Sequence, residues 1–433
     1  MRNLYCIVFI FLYSLSLWAQ RPLISKYDTV NADTVINTFL YNSYWQHDNR
    51  AAFPPGYTSF ADGHVLMIWN IHRGETPDSL LFYVGQELDN SGKKVGKIFF
   101  LDSIRWNGNL KWPYSPTVTK IDENSFVYTF QTLDSANGNR DLHQWYRKYS
   151  RKGQPLTPPT RINEGSTSQW SPSISIGQNK KMLIAWKENI ISVNRYKICF
   201  TVVDSSGKTI LPKTIVDSCQ YYDVSFNKNM IGFTWQRVFL GDTIAKVFFR
   251  LYKEDGTPIA SATPVDKNQN KIYQLLPEIL VGDESIFVFW KTNLFESTSF
   301  KLQDSCSIFV AQFDFRQKKT AQALLLDLPR DNAVTSLVTS ASGDKLLCTF
   351  WSALYANDTA TCAVRCVLTS ARNIKKTKSF DLVYAKTWKF VGFTFQFPDA
   401  EFISNGKIFV TWHGYNGINR IPGNVYYAIT AIE

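Results

Sequence analysis

Histidine is scarce in this chain. There are five in 433 residues, scattered at His47, His64, His72, His143 and His413. No Cys-x-x-Cys pair accompanies them, so nothing points to a structural zinc site or to any other resident metal or cofactor. The 22 glycines and 17 prolines are too few for a collagen-like or low-complexity chain. Gly-x-Ser-x-Gly is missing, which removes the nucleophile elbow of a serine hydrolase. No stretch of helical periodicity exceeds two turns, and after residue 20 no apolar run reaches the length of a membrane span. Large apolar rings are abundant instead: 13 Trp, 21 Tyr and 31 Phe. So much aromatic surface excludes a disordered chain and supplies a large core.

The formal net charge is +11. The lysine pairs Lys93-Lys94, Lys180-Lys181, Lys318-Lys319 and Lys375-Lys376 are dispersed over predicted turns and form no single stripe. Nucleic acid is therefore not the expected partner. Attraction to anionic polymers is consistent with the sign of the charge.

The first 20 residues, MRNLYCIVFIFLYSLSLWAQ, hold one charge at Arg2, an apolar core and a small residue, Ala19, before Gln20. That order is the pattern of an export signal cleaved after Ala19. The expectation is a signal peptide at 1–19, a mature chain of 20–433 with no membrane span, and a periplasmic or extracellular location. Six cysteines would remain, at 199, 219, 306, 348, 362 and 366.

A length of 433 residues would ordinarily suggest about three domains. An internal repeat replaces that prior with one domain. An apolar strand ending in an aromatic and a polar residue occurs seven times: VLMIWN, FVYTFQ, MLIAWK, IGFTWQ, IFVFWK, LLCTFWS and IFVTWH. The aromatics are Trp69, Phe130, Trp186, Trp235, Trp290, Trp351 and Trp412, spaced by 61, 56, 49, 55, 61 and 61 residues. A short strand and a turn precede each copy, as in SPSISIGQNKK (171–181) and LPEILVGDES (276–285). A third strand with period-two alternation follows, as in YKICFTVVD (196–204), and then a turn and often a fourth strand. Four antiparallel strands in each of seven repeats predict a seven-bladed β-propeller. A string of sandwiches fails, because about 57 residues is short for a sandwich of ~100 and no linkers divide the units. The recurring Trp is expected to fill the wedge between blades. The last repeat stops after its third strand, at 424–430, and a spare strand-like run, DTVINTFL (33–40), is expected to complete it. In the sixth repeat, a hairpin centred near Tyr355 would set Cys348 opposite Cys362 and permit a disulfide.

These repeats resemble those of secreted bacterial β-propellers, and loosely those of sialidases at the level of fold. The turns Asp89-Asn90-Ser91-Gly92 and Asp204-Ser205-Ser206-Gly207 stand where a sialidase Asp box, Ser-x-Asp-x-Gly-x-x-Trp, would lie. Their Asp-to-Gly spacing is one residue longer and the Trp is missing.

The resemblance implies a ligand face at one mouth of the central channel, where strand two ends and strand one begins. The residues after the seven aromatics are Asn70, Gln131, Lys187, Gln236, Lys291, Ser352 and His413. All are polar and none is acidic, which suits a polar or anionic ligand; ordinary solvated strand ends would read the same way. Aromatics recur before strand one at Trp106, Trp112, Tyr114, Trp170, Tyr221, Tyr222, Tyr273 and Trp388, and flat rings with polar tips suit sugars or a protein partner. Loop acids occur at Glu75, Asp134, Glu188, Asp242, Glu296, Asp358, Asp223 and Asp331, but no spacing pairs two of them as glycoside hydrolysis requires. The expected function is thus a binding propeller for a glycan, an anionic polymer or another envelope protein. The alternative is a glycoside hydrolase or polysaccharide lyase using loop carboxylates. No catalytic residue can be assigned from the sequence.

Overall fold

The computed structural model describes residues 28–29, 56–73, 79–106, 117–134, 141–162, 169–190, 195–219, 221–238, 245–266, 272–294, 306–328, 332–356, 359–388, 395–403, 406–416 and 421–432. The expected leader at 1–19 and the expected closing strand at 33–40 therefore lie outside the described residues. No described helix is long and apolar enough to cross a membrane.

The strands form seven four-stranded antiparallel sheets, the blades of a propeller. Blades 1 to 6 each use four consecutive strands, spanning 56–106, 118–161, 169–219, 222–264, 272–328 and 332–388. Blade 7 contributes three strands, Phe395–Phe402, Lys407–Asn416 and Ile421–Ala431. Its fourth strand is Asp28–Thr29, which pairs with Tyr427 and Tyr426. An N-terminal strand does close the ring against 424–430, but the pairing residues lie five positions before the expected run. Two residues suffice because the fourth strands of blades 2 and 4, Thr160–Arg161 and Thr263–Pro264, are equally short.

Seven apolar clusters lie between successive blades, one per joint. Strand two supplies their centres because its alternate side chains face opposite neighbours. Trp69, Phe130, Trp186, Trp235, Trp290 and Trp412 all face the preceding blade and are buried. Blade 6 departs from the pattern. There Phe350 faces blade 5, while Trp351 turns to the joint with blade 7. The repeat residue of blade 6 is therefore Phe350, and Trp351 is the next residue along. Two adjacent large aromatics, both buried, conceal that one-residue offset.

The expected disulfide does not form. The hairpin of blade 6 closes at Ala356 and Thr359, so Cys348 stands opposite Val367 and Cys362 opposite Ala353. Cys348 is free and buried, as are Cys199, Cys219, Cys306 and Cys366. Cys348 and Cys366 face opposite sides of the blade.

Strand one is innermost in every blade, and its free edge borders the axis. This edge tolerates proline, which cannot donate a ladder hydrogen bond. Register shifts between Trp170 and Ser173, Leu275 and Glu278, and Gln396 and Asp399 enclose Pro172, Pro277 and Pro398. Each bulge lies opposite the wedge Trp and re-aims the residue after the proline.

Candidate functional site

Two positions of strand one recur around the axis. One stands opposite the residue just before the wedge aromatic, and holds Ser173, Asp223, Glu278 and Asp399 in blades 3, 4, 5 and 7. The other lies two residues on, and holds Thr58, Thr119, Ser175, Ser225, Ser340 and Glu401. Side chains two apart on a strand share a face. These reach across to strand one of the next blade. Ser175 accepts from Phe226 N at 3.0 Å, Ser225 from Val281 N at 3.1 Å and Ser340 from Phe402 N at 3.1 Å. Thr58 accepts from Lys120 N at 3.0 Å, and Thr119 donates to Ile174 O at 2.9 Å. Among the described residues, adjacent blades share no backbone ladder at the axis, and this belt of side chains ties them instead.

Acids occupy the belt in three blades. Asp223 Oδ2 accepts from Ile279 N at 2.8 Å, which places its carboxylate beside the peptide that follows Glu278. Glu278 in turn accepts from the backbone of Thr339. Tyr57 donates to Asp399 at 2.8 Å and Ser59 to Glu401 at 2.9 Å. All four acids keep partial exposure to the channel but are surrounded by protein. Burial pushes Asp223 up to about 6 and Glu401 up to about 7. It also raises Asp399. Glu278 is raised well above the usual carboxylate range, by burial and then by the charges of Asp223 and Asp399. Nothing in the sequence separated these acids from others on half-exposed strands, although Asp223 was already marked by its position near strand one.

The strand-two ends lie farther toward the expected mouth. Asn70, Gln131 and His413 are in strands two of blades 1, 2 and 7. Lys187 is half-buried, and its ammonium sits 5.0 Å from the Tyr196 ring centre and 5.9 Å from that of Tyr221. Burial lowers its proton affinity. Lys291 is buried and donates to the Val334 carbonyl of blade 6 at 2.5 Å. Gln236 and Ser352 are also buried. Ser352, offset with its blade, shares the face of Phe350, whereas Lys187, Gln236 and Lys291 oppose their Trp.

Of the expected mouth aromatics, Tyr221 is 53% exposed, while the Tyr222 hydroxyl donates to Ser171 O at 2.6 Å. Trp106 and Trp388 end the fourth strands of blades 1 and 6, and Trp170 and Tyr273 lie within strand one of blades 3 and 5. Trp112 and Tyr114 lie outside the described residues, as do Glu75, Asp242, Glu296, Asp331 and Asp358. Asp134 ends strand two of blade 2. Glu188 is buried; it accepts from Trp186 Nε1 at 2.9 Å and from Lys213 at 2.7 and 2.6 Å. Despite burial, the two donors hold it below the usual glutamate range. An ionised, fixed carboxylate is suited to anchoring Trp186, not to donating a proton. Among the described residues, no three His, Cys, Asp or Glu side chains are placed to hold a metal ion.

No family model matches the sequence, and no curated protein matches it. Solved structures do share the fold. Polysaccharide lyase Uly1 is similar over 90% of this chain and 94% of its own, at 10% identity and a TM-score of 0.52. A protein of unknown function from Dyadobacter fermentans covers 90% and 97%, at 11% identity and a TM-score of 0.45. NanB sialidase from Streptococcus pneumoniae covers 90% and 70%, at 12% identity and a TM-score of 0.39. At these identities the likeness is one of fold.

Proposed function

We propose that this propeller binds an anionic carbohydrate at its axial mouth. The observation that carries the reading is Lys187 held between Tyr196 and the exposed ring of Tyr221. A cation beside flat rings can meet both the carboxylate or sulfate of an acidic sugar and its apolar face. The net charge of +11 favours the same ligand class. A polysaccharide lyase of the same fold supports a carbohydrate role. The other strand-two ends, including Asn70, Gln131 and His413, would extend the contact around the mouth. The leader sequence fits delivery outside the cytoplasm, where such polymers occur; N-terminal sequencing of the processed protein tests it.

Titration calorimetry with a uronate polymer tests the binding. Tyr221→Ala should weaken it by about fivefold. Lys187→Ala should do so more strongly at low salt, where charge is least screened. Absence of binding by the unaltered chain would overturn the reading.

A second reading, bond cleavage, is favoured by one observation: Asp223 and Glu278 occupy equivalent positions on the inner strands of adjacent blades, and burial raises both. Such a pair has the components of acid–base chemistry. Turnover of a glycan, lost in Glu278→Gln with binding retained, would establish it.

A further inference from the structure

The joint between blades 7 and 1 differs from the others along the axis. Elsewhere, the described strand-one bonds between blades run from a side chain to backbone, apart from those of this joint. Here both described bonds run from a hydroxyl to a carboxyl group, Tyr57 to Asp399 and Ser59 to Glu401. The two acids are two residues apart on one strand and face the same way. The chain also closes its ring through blade 7, whose fourth strand is the two-residue pairing of Asp28–Thr29 with Tyr426 and Tyr427, and Tyr427 packs into this joint and bonds Gly92 of blade 1. We propose that the joint of blades 7 and 1 is a proton-operated latch, closed while Asp399 and Glu401 are protonated and loosened when both ionise.

The surrounding groups give the latch its direction. Strand one of blade 1 presents Tyr57 and Ser59, which donate but carry no positive charge. Blade 2 brings Lys120, whose ammonium lowers Glu401 but is bonded to Glu123 at 2.8 Å. Blade 5 brings Glu278, which Asp399 repels. In blade 6, burial keeps the thiols of Cys348 and Cys366 protonated, and Arg365 is paired with Asp381 at 2.8 Å. On its own sheet, Asp399 stands opposite Thr411 and Glu401 opposite Phe409. A hydroxyl does bond an ionised carboxylate more strongly than a neutral acid. Burial and mutual repulsion outweigh that gain, since both acids are raised with burial as the leading cause. Each proton released goes to solvent, and two anions then share a site where, among the described residues, the nearby cation Lys120 is already bonded to Glu123.

The sign follows from linkage. Acids raised in the folded state stabilise it fully below their unfolded values, near 3.8 and 4.5, and that contribution is lost as pH rises through their raised ones, about 7 for Glu401. Amide hydrogen exchange on the full chain at about pH 5.5 and about pH 8, corrected for intrinsic rates, tests the latch. Protection of the ladder at Asp28–Thr29 and Tyr426–Tyr427 should fall about tenfold or more at the higher pH. The amide of Phe226, held by Ser175 at the joint of blades 3 and 4, should keep its protection. The double variant Asp399→Asn, Glu401→Gln should abolish the difference, and Glu401→Gln alone should reduce it. Unchanged protection at Tyr426–Tyr427, an equal loss at Phe226, or a response that persists in Glu401→Gln undiminished would each overturn the proposal.

Discussion

The wedge aromatics show what one residue contributes. Trp290 has no measurable exposure and packs with Val247, Phe249 and Ile279 of the joint between blades 4 and 5. Trp290→Ala should cost about 3–5 kcal/mol, read from equilibrium denaturation, because the rigid sheets on either side cannot collapse into the cavity. Trp186→Ala should cost a similar amount and also remove a donor from Glu188. Lys213 matters to that glutamate in another way. Lys213→Met would leave Glu188 buried with its cation removed, at a cost of about 1–3 kcal/mol at neutral pH. Since Glu188 is held below its ordinary value, the penalty should shrink as pH falls through that lowered range and the carboxylate protonates in both proteins. A penalty independent of pH would deny the ion pair. The wedge positions were legible because a large aromatic recurred at a near-constant interval. Which face it takes was not legible where Phe350 and Trp351 are adjacent, since either large ring can fill a wedge. The belt acids were less legible still. Asp223, Glu278 and Asp399 lie on inner strands of 6, 10 and 8 residues whose mixture of polar and apolar residues reads as ordinary half-exposure, and the channel that gathers them exists only once the ring has closed.

At the scale of the element, the turns between strands three and four carry the chain's remaining regularity. Asp204 Oδ1 accepts from Ser206 N at 2.8 Å, Ser206 Oγ at 2.6 Å and Lys208 N at 2.9 Å, and Asp89 makes the same three contacts with Ser91 and Lys93. Gly207 has φ +94°, a conformation costly for a residue with a Cβ. The Asp thus works as a staple for backbone amides, and the longer Asp-to-Gly spacing relative to a sialidase box fits this turn. The hydrogen bonds hold Asp204 below the usual aspartate range, those from Ser206 foremost. Its contribution is present above the unfolded value, near 3.8, and lost as pH falls through the lowered one. Asp204→Ala should therefore lower Tm at neutral pH by a few degrees, with the gap closing in acid. Equal melting at neutral pH would show that the turn holds without its staple. Turn residues between two alternating strands made this element visible in advance. The inner-strand bulges were not visible, because a proline in a short apolar run marks an edge without saying what the edge borders.

At the scale of the molecule, the question is how a ring of seven similar blades is held shut. Each joint buries an apolar cluster of its own, so no single joint determines the fold. The joint of blades 7 and 1 is special in sequence: it joins residues more than 300 positions apart, as in the bonds of Tyr57 to Asp399 and Tyr427 to Gly92. Closing so long a loop carries an entropic cost that local hairpins avoid. A missing final strand made closure foreseeable, yet the run 33–40 has better strand composition than the Asp28–Thr29 pair that forms the described clasp. Two ladder residues satisfy little backbone, and they cover the middle of an 11-residue edge, Ile421–Ala431. Two chains test what they contribute, one beginning at Lys26 and one at Asn31. The first retains the pairing with Tyr426 and Tyr427, and the second loses it. Their stabilities should differ by about 1–2 kcal/mol in chemical denaturation, the worth of one or two backbone hydrogen bonds. The shorter chain should also lose amide protection at Tyr426–Tyr427 while Phe226 keeps its own. Identical denaturation curves would place ring closure in the Tyr57–Asp399 and Ser59–Glu401 contacts and the apolar cluster around Phe409, and would reduce the N-terminal strand to a passenger on the edge of blade 7.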